Sequence, residues 1–323
     1  MANRTELAFL RAARSLLPPR AAVLVAVSGG SDSIALLHLL AQSSIGRSAR
    51  LTVAHLDHAL RPGSAIDRRF VERVARDLGL AVVADRRPVR RLRRRDESPE
   101  ECARRVRRDF LIESAAATGA AHIATGHTLD DQAETILMRL ARGAGPTALA
   151  AMSATGPGPF VRPLLGLERA ELRAWLARRR IPFREDPSNR DDRFDRNRVR
   201  HLVVPLLARA LNPRAARHLV EAAERLREDA VCLDRLASEA LDRSVSQRAG
   251  AFRIAAAALA EAPRPLALRM ARDLLRRAGA DPRRIGSRSI EALVALAGNG
   301  PARSLDLPSG LRAERERDRI VVR

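Results

Sequence analysis

The 323-residue sequence has no lysine and no tyrosine, seven phenylalanines, one tryptophan and two cysteines. Each shortage removes a class of chemistry. A Walker A phosphate loop ends in Lys-Ser/Thr, a protein kinase needs its strand lysine, and Schiff-base or pyridoxal enzymes need a lysine amine. Cys102 and Cys232 form no CxxC pair, so a zinc ribbon, an iron–sulfur site and a disulfide framework lack their ligands. With so few aromatics, base stacking on an exposed sheet is unsupported. The longest early apolar run, Ala21–Val27, is seven residues, too short to span a bilayer. No signal-peptide cleavage pattern follows the N-terminus, so a cytoplasmic, reduced protein is expected.

Arginine is what the sequence has instead. All 59 basic residues are Arg, against 38 acidic, for a net charge of +21. GC-rich codon usage accounts for Arg in place of Lys but not for the excess, which points to a polyanionic partner, nucleic acid first. Residues 213–323 carry 22 Arg and 15 carboxylates, a net +7, which leaves +14 for residues 1–212.

Apolar runs at 21–27, 51–56, 81–84, 121–125 and 160–165 alternate with helical spacing at 34–42, 66–78, 99–117, 130–140 and 169–179. That rhythm predicts βαβ units and a Rossmann-like parallel sheet covered on both faces. Ligands of such sheets bind beyond the carboxyl ends of the strands, so the loops after the first, second and fourth strands should carry the chemistry. Asn212-Pro213 marks a boundary. Beyond it the spacing predicts a mainly helical domain, with helices over 215–241, 266–278 and 289–297. A small terminal β element is expected from 304–307 and 319–322. The expected domains are therefore 1–212 and 213–323.

Five segments stand out. Ser28-Gly29-Gly30-Ser31-Asp32-Ser33 follows the first strand and opens a helix, where backbone N–H groups make an anion site. The plainer reading is a capped Gly-rich turn. His55-Leu56-Asp57-His58 is a polar strand end with metal-ligand residue types, His55 and Asp57 sharing a face. In Gly126-His127-Thr128-Leu129-Asp130-Asp131-Gln132-Ala133-Glu134, Asp131 and Glu134 share one helical face, fit to hold an amine or a metal. Thr128 and Asp131 equally fit a capping box. Eleven Arg lie between Arg86 and Arg108, a solvated face or a phosphate-backbone surface. Pro182–Arg200 reads on its own as a charged loop entering a helix.

In this order the segments resemble the tRNA(Ile)-lysidine synthetase family of PP-loop ATP pyrophosphatases. The family pattern stands at Ser28–Ser33 (SGGxDS), His55–Asp67 (HxDHxLRxxSxxD) and within Glu101–Arg107 (A-R-x-x-R). It continues at His127–Thr135 (HxxDDxxET), Arg162–Leu165 (RPLL), Glu171–Trp175 and Pro182–Arg200. The chain looks like a short form of the family. An aromatic often follows the A-R-x-x-R motif, but Arg108 stands there in this chain.

The resemblance implies a PP-loop catalytic domain that acts as a ligase. ATP would adenylate C2 of the wobble cytidine in the CAU anticodon of tRNA(Ile), and free L-lysine would then displace AMP. Ser28, Gly29, Gly30, Ser31, Asp32 and Ser33 would hold the ATP phosphates, with Asp32 on Mg2+. His55, His58, Gly126 and His127 would line the nucleotide site. Asp131 and Glu134 would bind lysine's amino groups, and Arg104, Arg107, Arg196 and Arg200 would stabilise developing charge. The tRNA would lie on Arg86, Arg87, Arg90, Arg91, Arg93, Arg94 and Arg95 and on the C-terminal domain. No membrane is implied, and no protein partner beyond a homodimer. The rivals are a PP-loop tRNA thiolase, which needs paired cysteines or a cluster, and a non-catalytic RNA-binding protein.

Overall fold

The run Ala21–Val27 is apolar at every position because both of its faces are covered. Val23, Val25 and Val27 belong to one core, and Leu24 and Ala26 to another on the opposite side. This strand is β1 (Ala22–Ala26). With β2 (Arg50–Asp57), β3 (Ala81–Arg86), β4 (His122–Ala124) and β5 (Phe160–Val161) it forms a parallel sheet in the order β3-β2-β1-β4-β5. In this computed structural model the described residues are 3–59, 63–150, 152–187, 191–248, 250–282, 284–298 and 303–323.

One face of the sheet packs on the helices Arg4–Leu16, Ser31–Gln42 and Arg169–Arg178. Trp175, 1% exposed, anchors that layer and donates its indole N–H to Glu6 at 2.8 Å. The other face packs on the Pro99–Thr118 helix through Phe110, Leu111 and Ala115. A capping box opens this helix at Ser98 and Glu101, and Gly119 closes it with φ +65°.

Strand order turns at β1. The chain runs outward through β2 and β3, then returns to place β4 and β5 on the other flank. The crevice between the ends of β1 and β4 is therefore the expected ligand position. The Ser28–Ser33 and Gly126–Asp131 loops emerge there side by side, with Val25 in register with Ala124.

The chain divides into two compact units, Met1–Glu224 and Arg225–Arg323, and the division falls inside the Ala215–Ser244 helix. The second unit holds the helices Arg264–Arg277 and Ser287–Ala297 and a five-stranded antiparallel sheet. Its strands are β6 (Val245–Arg248), β7 (Ala251–Ala255), β8 (Ser304–Asp306), β9 (Arg312–Glu316) and β10 (Arg319–Val322), in the order β6-β7-β10-β9-β8. The expected terminal β element corresponds to β8 and β10; β6, β7 and β9 extend it. The helix that the charged loop of Pro182–Arg200 enters is interrupted. It runs as Asp195–Arg198, a π turn at Val199–Val203, and Val204–Ala210.

Candidate active site

The turn after β1 is built for close approach. Gly29 takes φ +95°, a left-handed conformation that suits glycine. Gly30 is the N-cap of the Ser31–Gln42 helix. The Ser33 hydroxyl donates to the Gly30 carbonyl at 3.0 Å and accepts the Ser28 N–H at 3.2 Å, which closes the turn on itself. Across the crevice, a Cβ on Gly126 would sit 3.1 Å from the Asp32 carbonyl and the Ser33 nitrogen. Glycine at 126 lets the β4 loop lie against the β1 turn. The Pro182–Pro187 segment covers the same turn, since Arg184 N–H donates to the Gly29 carbonyl at 2.9 Å. Three sequence-distant motifs thus meet around one cavity of about 620 Å3.

Its floor is a charge cluster. Asp131 is the third residue of the Leu129–Ala141 helix and serves the capping box with Oδ2, accepting the Thr128 N–H at 2.9 Å. Its Oδ1 is left for the cavity and accepts from Arg169 and Arg196, both at 3.1 Å. The cap and the paired-carboxylate readings are thus both true of Asp131, one for each oxygen. Glu134, its side chain 1% exposed, accepts from Arg200 Nε at 2.7 Å, Arg196 Nε at 2.8 Å and Arg169 Nη1 at 3.3 Å. Arg169 Nε also donates to Asp32 at 3.0 Å. Three carboxylates therefore face three guanidinium groups. Burial alone would push the Asp131 carboxyl up, but Arg169 and Arg196 outweigh it and hold it below the ordinary carboxylate range. Arg169 shows the converse: burial disfavours its charge, and Asp131, Asp32 and Glu134 more than restore it.

The opposite wall carries a charge without a partner. Arg107 lines the cavity and makes no ion pair among the described residues. Burial disfavours its charged form and only Asp131 offsets this. Arginine does not release its proton in proteins, so such a group favours an incoming anion. His127, beside it, gives or takes a hydrogen bond with Thr125 Oγ1 at 2.9 Å, and burial lowers its pKa to about 4. It is a neutral imidazole at pH 7.

The structure gathers Ser28, Gly30, Ser31, Asp32, Ser33, Arg107, Gly126, His127, Asp131, Arg196 and Arg200 around the cavity, with Glu134 beneath them. It does not bring His55, His58 or Arg104 to it. His55 is buried and bonds the Val27 carbonyl through Nδ1 at 2.8 Å; burial lowers its pKa and takes that of His58 to about 4. Asp57 ties down the strand end, accepting the Ala59 N–H at 2.8 Å and the Ser64 hydroxyl at 3.1 Å. The metal reading of His55-Asp57-His58 finds no support, because no group of three ligating side chains occurs among the described residues. Leu60, Arg61, Ser188 and Asn189, part of the family pattern, lie outside the described residues. In the arginine run, Arg86 faces Asp57 at 3.5 Å and Arg87 is held by Asp85 at 2.8 Å. Arg90, Arg91, Arg93, Arg94 and Arg95 are exposed.

Arg169 is the residue that sequence reasoning passed over. A signal was available: it is the first residue of its helix, where a positive charge opposes the helix dipole. The Asp32, Asp131 and Glu134 carboxylates outweigh that penalty, and Asp130 accepts the Arg169 N–H at 2.7 Å. A magnesium ion takes one or two carboxylates and completes its shell with phosphate oxygens and water. Asp32, at the mouth of the β1 turn with its side chain 20% exposed, fits that role.

A family profile described as PP-loop domain matches residues 3–207. The chain is similar to a tRNA(Ile)-lysidine synthase of Geobacter sulfurreducens, 41% identical over 96% of this chain and 66% of that protein. It is also similar to a tRNA(Ile)-lysidine synthase of Salinispora arenicola, 39% identical over 97% of this chain and 94% of that protein. The chain thus spans just under two thirds of the Geobacter relative's length and nearly all of the Salinispora relative's. Among solved structures, the U34-tRNA thiolase of Methanococcus maripaludis with its 4Fe-4S cluster aligns with a TM-score of 0.57 at 17% identity, covering 69% of this chain and 78% of that one. That likeness is one of fold.

Proposed function

The chain belongs to the tRNA(Ile)-lysidine synthase family of PP-loop proteins, and from that premise we propose that it ligates L-lysine to C2 of the wobble cytidine in tRNA(Ile) bearing a CAU anticodon. The observation that carries the reading is the cavity between β1 and β4: a phosphate-cradling turn on one side, and Asp131 and Glu134 on the other.

In the first step the cytidine C2 oxygen attacks the α-phosphorus of ATP, and pyrophosphate leaves. The Ser28–Ser33 turn and its helix N-terminus hold the phosphates, Asp32 holds Mg2+, and the free charge of Arg107 faces the developing anion. In the second step the ε-amine of lysine attacks C2, loses its proton and expels AMP. A lysine ammonium suits Asp131 Oδ1 and Glu134, where guanidinium groups now sit. Arg196 and Arg200 would give up these carboxylates and turn to phosphate as substrates enter. We assign the reaction to the cytoplasm.

The thiolase alternative is weaker. Cys102 is buried and its thiol donates to the Val89 carbonyl at 3.5 Å, while Cys232 is exposed in a different helix. No cysteine faces the cavity. Mass spectrometry of tRNA(Ile) with a CAU anticodon, after incubation with ATP, lysine and this protein, tests the proposal. The expected result is a lysine-sized mass gain on the wobble cytidine; an unmodified nucleotide would overturn it.

A further inference from the structure

Three arginines gather beside the cavity without a carboxylate among them. Arg104 and Arg108 stand one turn apart on the Pro99–Thr118 helix, with Arg107 of the cavity wall between them. Arg162 follows β5 two residues after Phe160, so both side chains leave the chain on the same face of the sheet. Phe160 lies in the core under that helix, and the Arg108 guanidinium stacks over its ring, 5.3 Å from the centroid. Arg162 passes over Gly156, where a Cβ would come within 2.9 Å of Nη2. Its Nη1 donates to the Ser153 carbonyl at 2.7 Å, but its Nε is buried without a partner.

None of the three forms an ion pair among the described residues. Arg105, on the same helix, turns away to Glu97 at 2.8 Å. Burial and the charges of Arg104 and Arg108 all disfavour the cation at Arg162. Because the guanidinium stays protonated, the repulsion is relieved only by an anion. Arg107, which stands between Arg104 and Arg108 on the same helix, lines the cavity, so the cluster borders it.

We propose that Arg104, Arg108 and Arg162 bind a phosphodiester of the RNA strand next to the nucleotide presented to the cavity. The inference rests on the reading of the chain as a tRNA-modifying ligase. Phosphate oxygens would pair with the planar guanidinium forks, and Phe160 fixes one fork in place. The ATP phosphates have their own cradle at Ser28–Ser33, whereas Arg104 and Arg108 are open to solvent, where a strand can lie. Arg108 takes the position an aromatic often holds in the family. A planar cation held on an aromatic face retains a flat surface there and adds a phosphate contact.

The test measures tRNA(Ile) binding across a salt series for the full chain and for Arg108→Gln, Arg162→Gln and Arg162→Lys, with ATP affinity measured separately without tRNA. Each Gln variant should weaken tRNA binding about tenfold at physiological salt and reduce the slope of log K against log salt by about one. Arg162→Lys should restore part of both, and ATP affinity should not move. Thermal melting of the same samples separates lost binding from lost folding, and Arg108, being exposed, can be exchanged without that concern. Unchanged tRNA slopes in both Gln variants would overturn the site. Weaker ATP binding with unchanged tRNA binding would do so too, by assigning the cluster to nucleotide phosphate. If the unaltered chain fails to bind tRNA at all, the underlying ligase reading falls; if it binds and the Gln variants match it, only this site falls.

Discussion

The two walls of the cavity use the same side chain in opposite ways. On one, Arg169, Arg196 and Arg200 are each held by two or three carboxylate contacts at 2.7–3.5 Å. On the other, Arg107 faces the same space with no ion pair among the described residues and only the more distant charge of Asp131 in its favour, and Arg104, Arg108 and Arg162 stand beside it without ion pairs. The difference follows from where the acids are. The ion pairs of Asp131 and Glu134, both on the Leu129–Ala141 helix, all go to Arg169, Arg196 and Arg200. The lesson is that a count of arginines says little about function. The paired set organises the site before any ligand arrives, and the unpaired set is what a polyanion meets.

The comparison breaks most severely at Glu134. Glu134→Gln keeps the shape but leaves three guanidinium groups facing two carboxylates. Removing one partner of a buried ionic cluster costs about 3–5 kcal/mol, so the urea midpoint should fall steeply. Adding Arg196→Gln should recover part of the loss, with a coupling of about 1–3 kcal/mol in the double-mutant cycle. A stability loss below about 1 kcal/mol for the single variant would mean that the cluster is not formed in solution.

Arg107→Met probes the other wall and should reverse the pattern. It removes an unpaired charge, so stability should stay level or rise by up to about 1 kcal/mol. Adenylation should nonetheless fall, about 100- to 1,000-fold in tRNA-dependent ATP–pyrophosphate exchange. A variant that is unstable yet active would exchange the roles given to the two walls.

Sequence reasoning reached the sheet and the loops but not this asymmetry. β1 was legible because a strand buried on both faces reads as an unbroken apolar run, and β2 to β5 because shorter apolar stretches alternate with helical spacing. The loops after the first, second and fourth strands followed from the rule that ligands bind beyond the carboxyl ends, whereas the crevice between β1 and β4 needed the strand order of the structure. The pairing of Arg169 and Arg196 with Glu134 was not legible, because it joins residues 35 and 62 positions apart through space. In the second unit β9 was hidden for a different reason. Arg-Ala-Glu-Arg-Glu offers only Ala313 to the core, so no alternation betrays it. The π turn at Val199–Val203 escaped because nothing in the side-chain pattern marks an extra backbone residue in a helical turn.

Two histidines, His127 of the cavity and His58 at the end of β2, give a pH window that neither arginine set supplies. His58 and His127 titrate at about 4 in the fold, chiefly because burial disfavours their charged forms, against 6.5 when exposed. The unfolded chain binds more protons between these values. The stability is therefore fully present above pH 6.5 and is lost as pH falls toward 4. The loss should be on the order of 2 kcal/mol per histidine after allowing for partial exposure. Asp131 is also shifted downward, because Arg169 and Arg196 outweigh its burial, so its contribution is lost only as pH falls below the ordinary carboxylate range. Urea midpoints at several pH values, with and without His58→Gln, check the assignment. A profile that is flat above pH 5 would remove it.

The smallest effect separates paired from unpaired arginines within one short run. Arg86 and Arg87 are engaged by Asp57, Asp85 and Glu113, and Arg87 also lies over the Phe110 ring. Arg90, Arg91 and Arg93 are exposed and make no ion pair among the described residues. Each phosphate contact made by a free arginine releases a counterion, and an arginine already neutralised by a carboxylate releases few. Replacing Arg90, Arg91 and Arg93 by Ser should therefore flatten the salt dependence of tRNA binding by about two to three in the slope. Replacing Arg86 and Arg87 should leave the slope nearly unchanged and lower the melting temperature instead. Equal slopes for the two variants would mean that pairing inside the fold does not decide which arginines meet the RNA.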